Sequence, residues 1–232
     1  MRLFAKQLNN TLDDIKASLC YYAQTGCHGF DCSKDSLAII NGWGKNSRID
    51  SEPLMTIRSK IANCRGCKLW QERKNIVFGA GNPDARLVFV GEAPGQKEDL
   101  LGEPFVGPAG QLLTKIIEAM QFSRKSVYLC NIIKCRPSGN RNPEIDEIQA
   151  CLPFLERQLN IIKPRVIVGL GKFASQTLLG TDSAISRLRG HFHDYHGILF
   201  MPTYHPAFLL RNPARKKDVW EDMQKVMKKL KN

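Results

Sequence analysis

The sequence predicts an α/β protein in which helices cover both faces of a central, mostly parallel four-stranded sheet. Four short runs rich in β-forming residues alternate with segments of helical periodicity, a pattern typical of parallel sheets. The predicted strands are Arg86–Val90, Val127–Asn131, Val166–Leu170 and Ile198–Thr203. The predicted helices are Gln111–Met120, Glu144–Gln158, Lys172–Leu179 and Ala214–Leu230. This order predicts a three-layer α/β/α domain.

The chain divides into an N-terminal extension and one larger domain. Residues 3–23 carry apolar side chains at steps of three and four, which predicts an amphipathic helix that ends at Gly26. Residues 26–53 are rich in Gly, Ser, Asn and Asp and show no period, so we expect a linker there. We therefore predict a helix-and-linker extension at 1–53 and a catalytic domain at 54–232.

Charge narrows the class of partner. The 232 residues include 34 basic and 22 acidic ones, and the net charge of +12 favours a polyanion such as nucleic acid over a merely solvated basic surface. No apolar run approaches the ~20 residues that a membrane helix needs, and the N-terminus lacks the pattern of a secretion signal. We therefore expect a cytoplasmic protein that does not bind membranes.

Four of the eight cysteines have a spacing that suggests a metal centre. Cys64 and Cys67 form a C-x2-C pair, and Cys135 and Cys151 follow with 15 residues between them. Four thiolates can complete a zinc site or hold an iron–sulfur cluster. Four buried apolar cysteines are the alternative. Cys135 lies in a polar segment, Lys134–Pro137, which favours a ligand role for it.

Glycines and polar residues follow the predicted strands. They are Gly91-Glu92-Ala93-Pro94-Gly95, Asn131, Gly169-Leu170-Gly171 and His205-Pro206. In open parallel sheets, ligands bind beyond the carboxyl ends of the strands, so we expect these segments to meet at one pocket. The first loop resembles a phosphate-binding loop only in its glycines, because the Lys-Ser/Thr ending of such loops is absent.

Four separated motifs resemble those of the family 4 uracil-DNA glycosylases. They are Gly91–Gly95 with Gly102–Gly110, then Asn131, then Cys135-Arg136-Pro137, and Tyr204-His205-Pro206-Ala207. The resemblance spans roughly Ile61–Leu230, with the motifs in the right order. It implies an enzyme of base-excision repair that hydrolyses the N-glycosidic bond of deoxyuridine in DNA and leaves an abasic site. It also implies a structural 4Fe–4S cluster on Cys64, Cys67, Cys135 and Cys151, rather than zinc.

The resemblance also implies which residues bind uracil. Phe105 is expected to stack on the extruded base, unless it is simply a core residue. Asn131 is expected to read the base, because its amide can accept from uracil N3–H and donate to O4. An Asn that caps a turn is the alternative. Gly91 and Ala93 are expected to border the base in the same pocket.

Catalysis needs a donor to the departing uracil and a group that orients the attacking water. We expect His205 to donate to uracil O2, where negative charge develops. Glu92 is the first candidate for orienting the water and Glu98 the second. The best-known glycosylases of the wider superfamily have an Asp where this chain has Ala93, so the resemblance alone does not fix the water-orienting group.

Binding to DNA is expected to involve four further residues. Leu209 is predicted to fill the gap left by the flipped base. The alternative is that Leu209 and Leu210 both pack in the core. Arg211, Arg189 and Lys172 are predicted to contact the DNA backbone. We expect a monomer that acts on uracil-containing single- or double-stranded DNA at the nucleoid. Residues 1–53 are a candidate site for a replication or repair partner.

Two other functions remain open at this point. A covalent uracil-DNA trap shares the glycine-rich strings, but it carries an inserted loop with a reactive His after the second strand. The segment from Cys135 to Cys151 contains no His and no such insertion. A zinc-stabilised DNA-binding module explains the charge and the cysteines, but it does not explain Phe105, Asn131 and His205 at the strand ends.

Overall fold

The computed structural model describes residues 53–231. The predicted helix at 3–23 lies outside the described residues, as does nearly all of the predicted linker. Helix α1 (Leu54–Ile61) begins where the catalytic domain was predicted to begin. The division into an extension and a catalytic domain stays a prediction. No helix within residues 53–231 is both long and apolar enough to cross a membrane.

The described residues form a mixed, mostly parallel sheet of six strands. In chain order these are β1 (Ala80–Gly81), β2 (Leu87–Gly91), β3 (Tyr128–Asn131), β4 (Val166–Leu170), β5 (His193–Tyr195) and β6 (Ile198–Thr203). The spatial order is β1-β3-β2-β4-β6-β5. The central pairs β3–β2, β2–β4 and β4–β6 are parallel, which confirms the four predicted strands. Strands β1 and β5 add a short antiparallel edge on each side.

Helices cover both faces of the sheet, as predicted. They are α1, α2 (Gln96–Leu101), α3 (Pro108–Ala119), α4 (Ile145–Ile162), α5 (Gly171–Leu179), α6 (Ile185–Leu188), α7 (Pro206–Arg211) and α8 (Lys216–Lys231). Alternate residues of β2 point to opposite faces, as the period of a strand requires. Val88 and Val90 pack in one core with α4 and α5, and Leu87 and Phe89 pack in the other with α3, α7 and α8.

The sheet topology brings the ends of distant segments together. Because β2, β3, β4 and β6 are parallel, their carboxyl ends lie at one edge of the sheet. The Cα partner of Gly91, the last residue of β2, is Asn131, the last residue of β3. The sheet edge therefore collects the loops in which the sequence placed the candidate site residues.

Candidate active site

A cleft of about 600 Å³ lies beyond the carboxyl edge of the sheet. Its walls come from the loop after β2, the start of α2, the Phe105 loop, the segment 137–142 and helix α7. Residues predicted as functional that line it are Glu92, Ala93, Glu98, Phe105, Asn131, His205 and Arg211. The structure thus brings together candidates from four separate parts of the sequence.

Gly91 allows two of the predicted uracil-binding side chains to meet. A Cβ atom at this position would lie 2.4 Å from Asn131 Oδ1 and 2.5 Å from Phe105 Cζ. Both distances are far shorter than ordinary van der Waals contact, so any side chain here would displace the amide, the ring or both. The absence of a side chain at Gly91 is therefore what lets Phe105 and Asn131 come together at the cleft.

Phe105 is held in a strained backbone conformation. Its φ of 55° lies in the left-handed region, where a bulky residue is an outlier that costs about 1–3 kcal/mol. Gly110 permits this turn, since a Cβ there would lie 2.0 Å from the Phe105 carbonyl oxygen. The Phe105 side chain packs at the border of the core and also lines the cleft. Phe105 is therefore a core residue that also borders the cleft, and its stacking role stays a prediction.

Asn131 presents an unsatisfied acceptor to this region. Within residues 53–231 no hydrogen-bond donor reaches its buried Oδ1 atom. A buried acceptor without a partner costs about 1–3 kcal/mol, so such an atom in an active-site cleft suggests a ligand donor. Its backbone is fixed by the fully buried Lys134, whose Nζ donates to the Asn131 carbonyl oxygen at 2.8 Å.

His205 is positioned as a neutral hydrogen-bond donor. It caps the N-terminus of α7, where the amide of Ala207 donates to Nδ1 at 3.1 Å. The ring proton therefore resides on Nε2. Burial, reinforced by Arg211, lowers the pKa of His205 to about 4. Its ring centroid lies 6.4 Å from that of Phe105.

The two predicted carboxylates occupy different environments. Burial raises the pKa of Glu92 to about 7. Such a carboxyl group is near the optimum for a general base at neutral pH. Glu98 Oε1 accepts hydrogen bonds from the amides of Val106 and Gly107, at 3.0 and 2.8 Å. Both carboxylates line the cleft, but Glu98 also supports the Phe105 loop with one oxygen.

The four predicted metal ligands line one small pocket. Cys64 and Cys67 follow α1, Cys135 follows β3, and Cys151 belongs to α4. Within residues 53–231 no three Cys, His, Asp or Glu side chains are close enough to hold one metal ion. The four cysteines nevertheless share one pocket, which is the arrangement that a group held by all four thiolates would need.

Each of the four sulfurs also accepts a hydrogen bond from nitrogen. Cys64 accepts from the Gly66 amide at 3.4 Å, and Cys67 accepts from the backbone of Leu69. The donors to the other two are Arg73 Nη1 on Cys135, at 3.4 Å, and the Lys134 amide on Cys151, at 3.3 Å. Such donors stabilise thiolate ligands, so the residues present fit an anionic thiolate-bound group.

Comparison with known proteins places this architecture in a family. The model of the uracil DNA glycosylase superfamily matches residues 78–225. The type-4 uracil-DNA glycosylases of Saccharolobus solfataricus and Thermotoga maritima are 45% and 44% identical to this chain. Each alignment covers 75% of this chain, and they cover 85% and 94% of the two relatives. The chain belongs to the type-4 uracil-DNA glycosylases.

Membership confirms the resemblance seen in the sequence motifs. The type-4 enzyme of Archaeoglobus fulgidus is 41% identical over 75% of this chain and 92% of its own length. The activity of this uracil-DNA glycosylase is therefore the removal of uracil from DNA in base-excision repair.

One predicted DNA contact of this glycosylase has to be corrected. Leu209, expected to enter the DNA, is only 1% exposed and packs in the core with α3 and α8. Leu210 is 47% exposed, and Arg211 beside it is exposed and lines the cleft. A side chain in the core cannot reach a groove without unfolding its helix. Leu210 is therefore the leucine of α7 available to DNA.

The other two predicted backbone contacts lie away from the cleft lining. Arg189 forms a bidentate salt bridge with the buried Asp222, with Nη2–Oδ1 at 2.6 Å and Nε–Oδ2 at 3.1 Å. Thr203 Oγ1 also donates to Asp222 Oδ2, at 2.6 Å, so the network ties the turn before β5 to α8 and β6. The guanidinium charge of Arg189 is thus already paired with the carboxylate of Asp222. Lys172 is exposed at the start of α5, with Nζ 5.6 Å from the Phe173 ring centroid.

Part of the cleft wall was not predicted from the sequence. Asn140, Arg141 and Asn142 line the cleft opposite the loop that follows β2. Arg141 is anchored there by the buried Glu147, with Nη2–Oε1 at 2.6 Å. Their position directly after Cys135 at the carboxyl edge of β3 was the available indication.

We predict that Gly91→Ala strongly impairs uracil excision. The added Cβ would displace Phe105 or Asn131, and misplacements of about 1 Å can cost ~10²-fold in rate. Single-turnover excision from a uracil-containing oligonucleotide measures the loss. Gly180→Ala is the control for an added methyl group without a clash, because its Cβ would meet nothing within 4 Å. Its φ of 59° adds a backbone penalty, so this variant also controls for a general loss of stability. It should excise uracil normally. Normal excision by Gly91→Ala would contradict the close approach described here.

Proposed function

We propose that the cleft encloses a uracil flipped out of DNA, with Phe105 against its face, Asn131 at its pairing edge and His205 at its O2 oxygen. The observation that supports this proposal is the convergence of these three side chains, from three separate parts of the chain, on one cleft. Phe105 and Asn131 meet beside Gly91, and the His205 ring centroid lies 6.4 Å from that of Phe105. An enzyme that acts on a base has to take it out of the stack and read its edge.

Asn131 supplies the selectivity in this proposal. Its unpartnered Oδ1 accepts from uracil N3–H, and Nδ2 donates to O4. Cytosine has an acceptor at N3 and a donor at its 4-position, so the same amide would leave two buried groups unpaired. Unpaired buried polar groups are how a site rejects close analogues.

His205 and Glu92 carry the chemistry in this proposal. The bond between C1′ and uracil N1 breaks, and uracil departs as an anion whose O2 accepts a hydrogen bond from His205 Nε2–H. A water oxygen bonds to C1′, and the water's proton passes to the Glu92 carboxylate. The uracil anion then takes a proton from solvent. Glu98, the second candidate, keeps its supporting role at the Phe105 loop.

The DNA strand is proposed to cross the mouth of the cleft. Leu210 fills the space left by the flipped base, and Arg211 contacts a neighbouring phosphate. Lys172 and Arg189 stay candidates for the backbone further out. We propose a monomer that acts in the cytoplasm on single- or double-stranded DNA. A replication or repair partner is proposed to bind residues 1–53.

We propose that Cys64, Cys67, Cys135 and Cys151 hold a 4Fe–4S cluster. Their shared pocket and their nitrogen donors support it. The bound cluster would cross-link the segment after α1, the loop after β3 and helix α4. Excision is a hydrolysis with no net electron transfer, so the proposed role is structural.

The proposed function is tested with a uracil-containing oligonucleotide, followed by alkali to cleave abasic sites. The protein should cleave only the strand with uracil, and His205→Ala should lower the single-turnover rate by ~10²–10³ while DNA binding persists. His191→Ala is the matched control, since that histidine is exposed and outside the cleft lining. A stable protein–DNA adduct in place of abasic sites would instead indicate the covalent trap.

A second prediction concerns pH. The pKa of Glu92 is raised to about 7, so its carboxylate forms as pH rises through neutrality, and the excision rate should rise with it to a plateau. His205, with a pKa of about 4, stays neutral throughout this range.

Single-turnover rates between roughly pH 5 and 9 test this assignment. Glu92→Gln should remove the rising limb and lower the plateau by ~10²–10⁴. Glu118→Gln, on the exposed face of α3, is the matched control and should retain the limb. If the rising limb persists in Glu92→Gln, a group other than Glu92 orients the attacking water.

A third prediction concerns the cysteines. The purified protein should contain iron and absorb near 400 nm, and Cys135→Ala should lower both the iron content and the melting temperature. Cys130→Ala is the control. Cys130 lies in β3 and is buried, as Cys135 is, but it does not line the cysteine pocket. Full iron content in Cys135→Ala, or zinc in place of iron, would contradict the proposal.

A further inference from the structure

The loop that carries Phe105 is unusual because it must maintain a strained residue at the face of the cleft. Phe105 has its φ at 55°, and neither neighbour in the chain, Pro104 or Val106, is part of a helix or strand. Backbone strain persists only where the surroundings over-determine it. A relaxed backbone would swing the ring away from the position beside Gly91, so some contact has to oppose that relaxation.

Arg124 supplies such a contact from outside the loop. Its Nη2 donates to the Pro104 carbonyl oxygen at 2.7 Å, and its Nη1 donates to the Phe105 carbonyl oxygen at 2.9 Å. The guanidinium thus bridges two consecutive carbonyls at the strained residue. Its planar fork of donors has the geometry for this, which an ammonium group does not.

A third hydrogen bond fixes the guanidinium itself. Arg124 Nη1 also donates to Thr114 Oγ1, at 3.2 Å, and Thr114 Oγ1 donates to the Gly110 carbonyl oxygen at 3.0 Å. Gly110 lies directly against the Phe105 carbonyl, so the network closes on the same turn. The loop is therefore attached to helix α3 through Arg124.

We propose that Arg124 is a positioning residue for uracil recognition, which holds the Phe105 ring in place by bridging the carbonyl oxygens of Pro104 and Phe105. Arg124 does not line the cleft, so it acts through Phe105 and not by contact with the base. The inference rests on the proposed stacking role of Phe105. It adds a determinant of uracil affinity outside the cleft.

A double-mutant cycle tests this inference. The variants are Arg124→Met, which keeps the aliphatic stem, Phe105→Ala and the double variant, with Lys125→Met as the control for charge at the neighbouring exposed position. The readouts are the single-turnover excision rate, inhibition by free uracil, affinity for undamaged DNA and melting temperature. Free uracil is informative because it probes the base pocket without the DNA backbone.

Arg124→Met should lower the excision rate and weaken uracil inhibition by about 10²-fold, with affinity for undamaged DNA unchanged. In the Phe105→Ala background the same substitution should have little further effect, because the ring it positions is absent. Arg124→Lys should recover only part of the loss, since one ammonium cannot reproduce the bridge. Lys125→Met should behave like the unaltered protein.

Three outcomes would overturn the inference. One is a normal uracil affinity in Arg124→Met. The second is additive losses in the double variant, which would show that Arg124 acts independently of Phe105. The third is a Phe105→Ala variant with normal uracil affinity, which would also refute the stacking role in the proposed function. The first two outcomes leave the stacking role of Phe105 intact. A failure of the inference about Arg124 can therefore be distinguished from a failure of the proposed function. In the first outcome, a lower melting temperature would show that Arg124 has only a structural role.

Discussion

The parallel register of β2 and β3, together with the missing side chain at Gly91, is the constraint on which the site depends. The register aligns Gly91 with Asn131, so the amide reaches the carboxyl edge of the sheet beside the loop that follows β2. The bare Cα at Gly91 then leaves room for the Phe105 ring at the same point. A planar base needs one face and one edge to be contacted together, and these two features place both groups within reach of it.

Burial sets the electrostatic character of the cleft. It raises the pKa of Glu92 and lowers that of His205, so both groups are disfavoured in their charged forms for the same reason. A neutral imidazole whose Nδ1 is occupied by the Ala207 amide can only donate through Nε2. The leaving uracil anion would then meet a fixed donor, and that donor needs no proton from solvent before the bond breaks. Opposite shifts at two groups that line one cleft are characteristic of acid–base and electrophilic pairs in enzymes.

The sequence was sufficient for the parallel core, because each of its four strands is an apolar run bounded by turns and followed by a helical pattern. Strands β1 and β5 have two and three residues, and such short segments are defined by their pairing partner rather than by their own pattern. The sequence did not predict which leucine of α7 is exposed, since in a six-residue helix only tertiary packing decides which of Leu209 and Leu210 faces the core. Arg124 has no sequence pattern at all, because its function depends on a turn distant in the chain.

The cysteine pocket is connected by short hydrogen-bonded paths to the residues proposed to bind the base. The backbone amide of Lys134 donates to Cys151 Sγ and its Nζ donates to the carbonyl oxygen of Asn131, so one buried residue links the pocket to the proposed reader of the base. On the other side, Arg73 contacts Cys135, and the amide of the next residue donates to Asp99 on α2. Helix α2 also carries the Glu98 carboxylate that supports the Phe105 loop. If the proposed cluster binds these thiolates, it would stiffen both the edge and the face of the proposed uracil site through these contacts, which is a structural role without electron transfer.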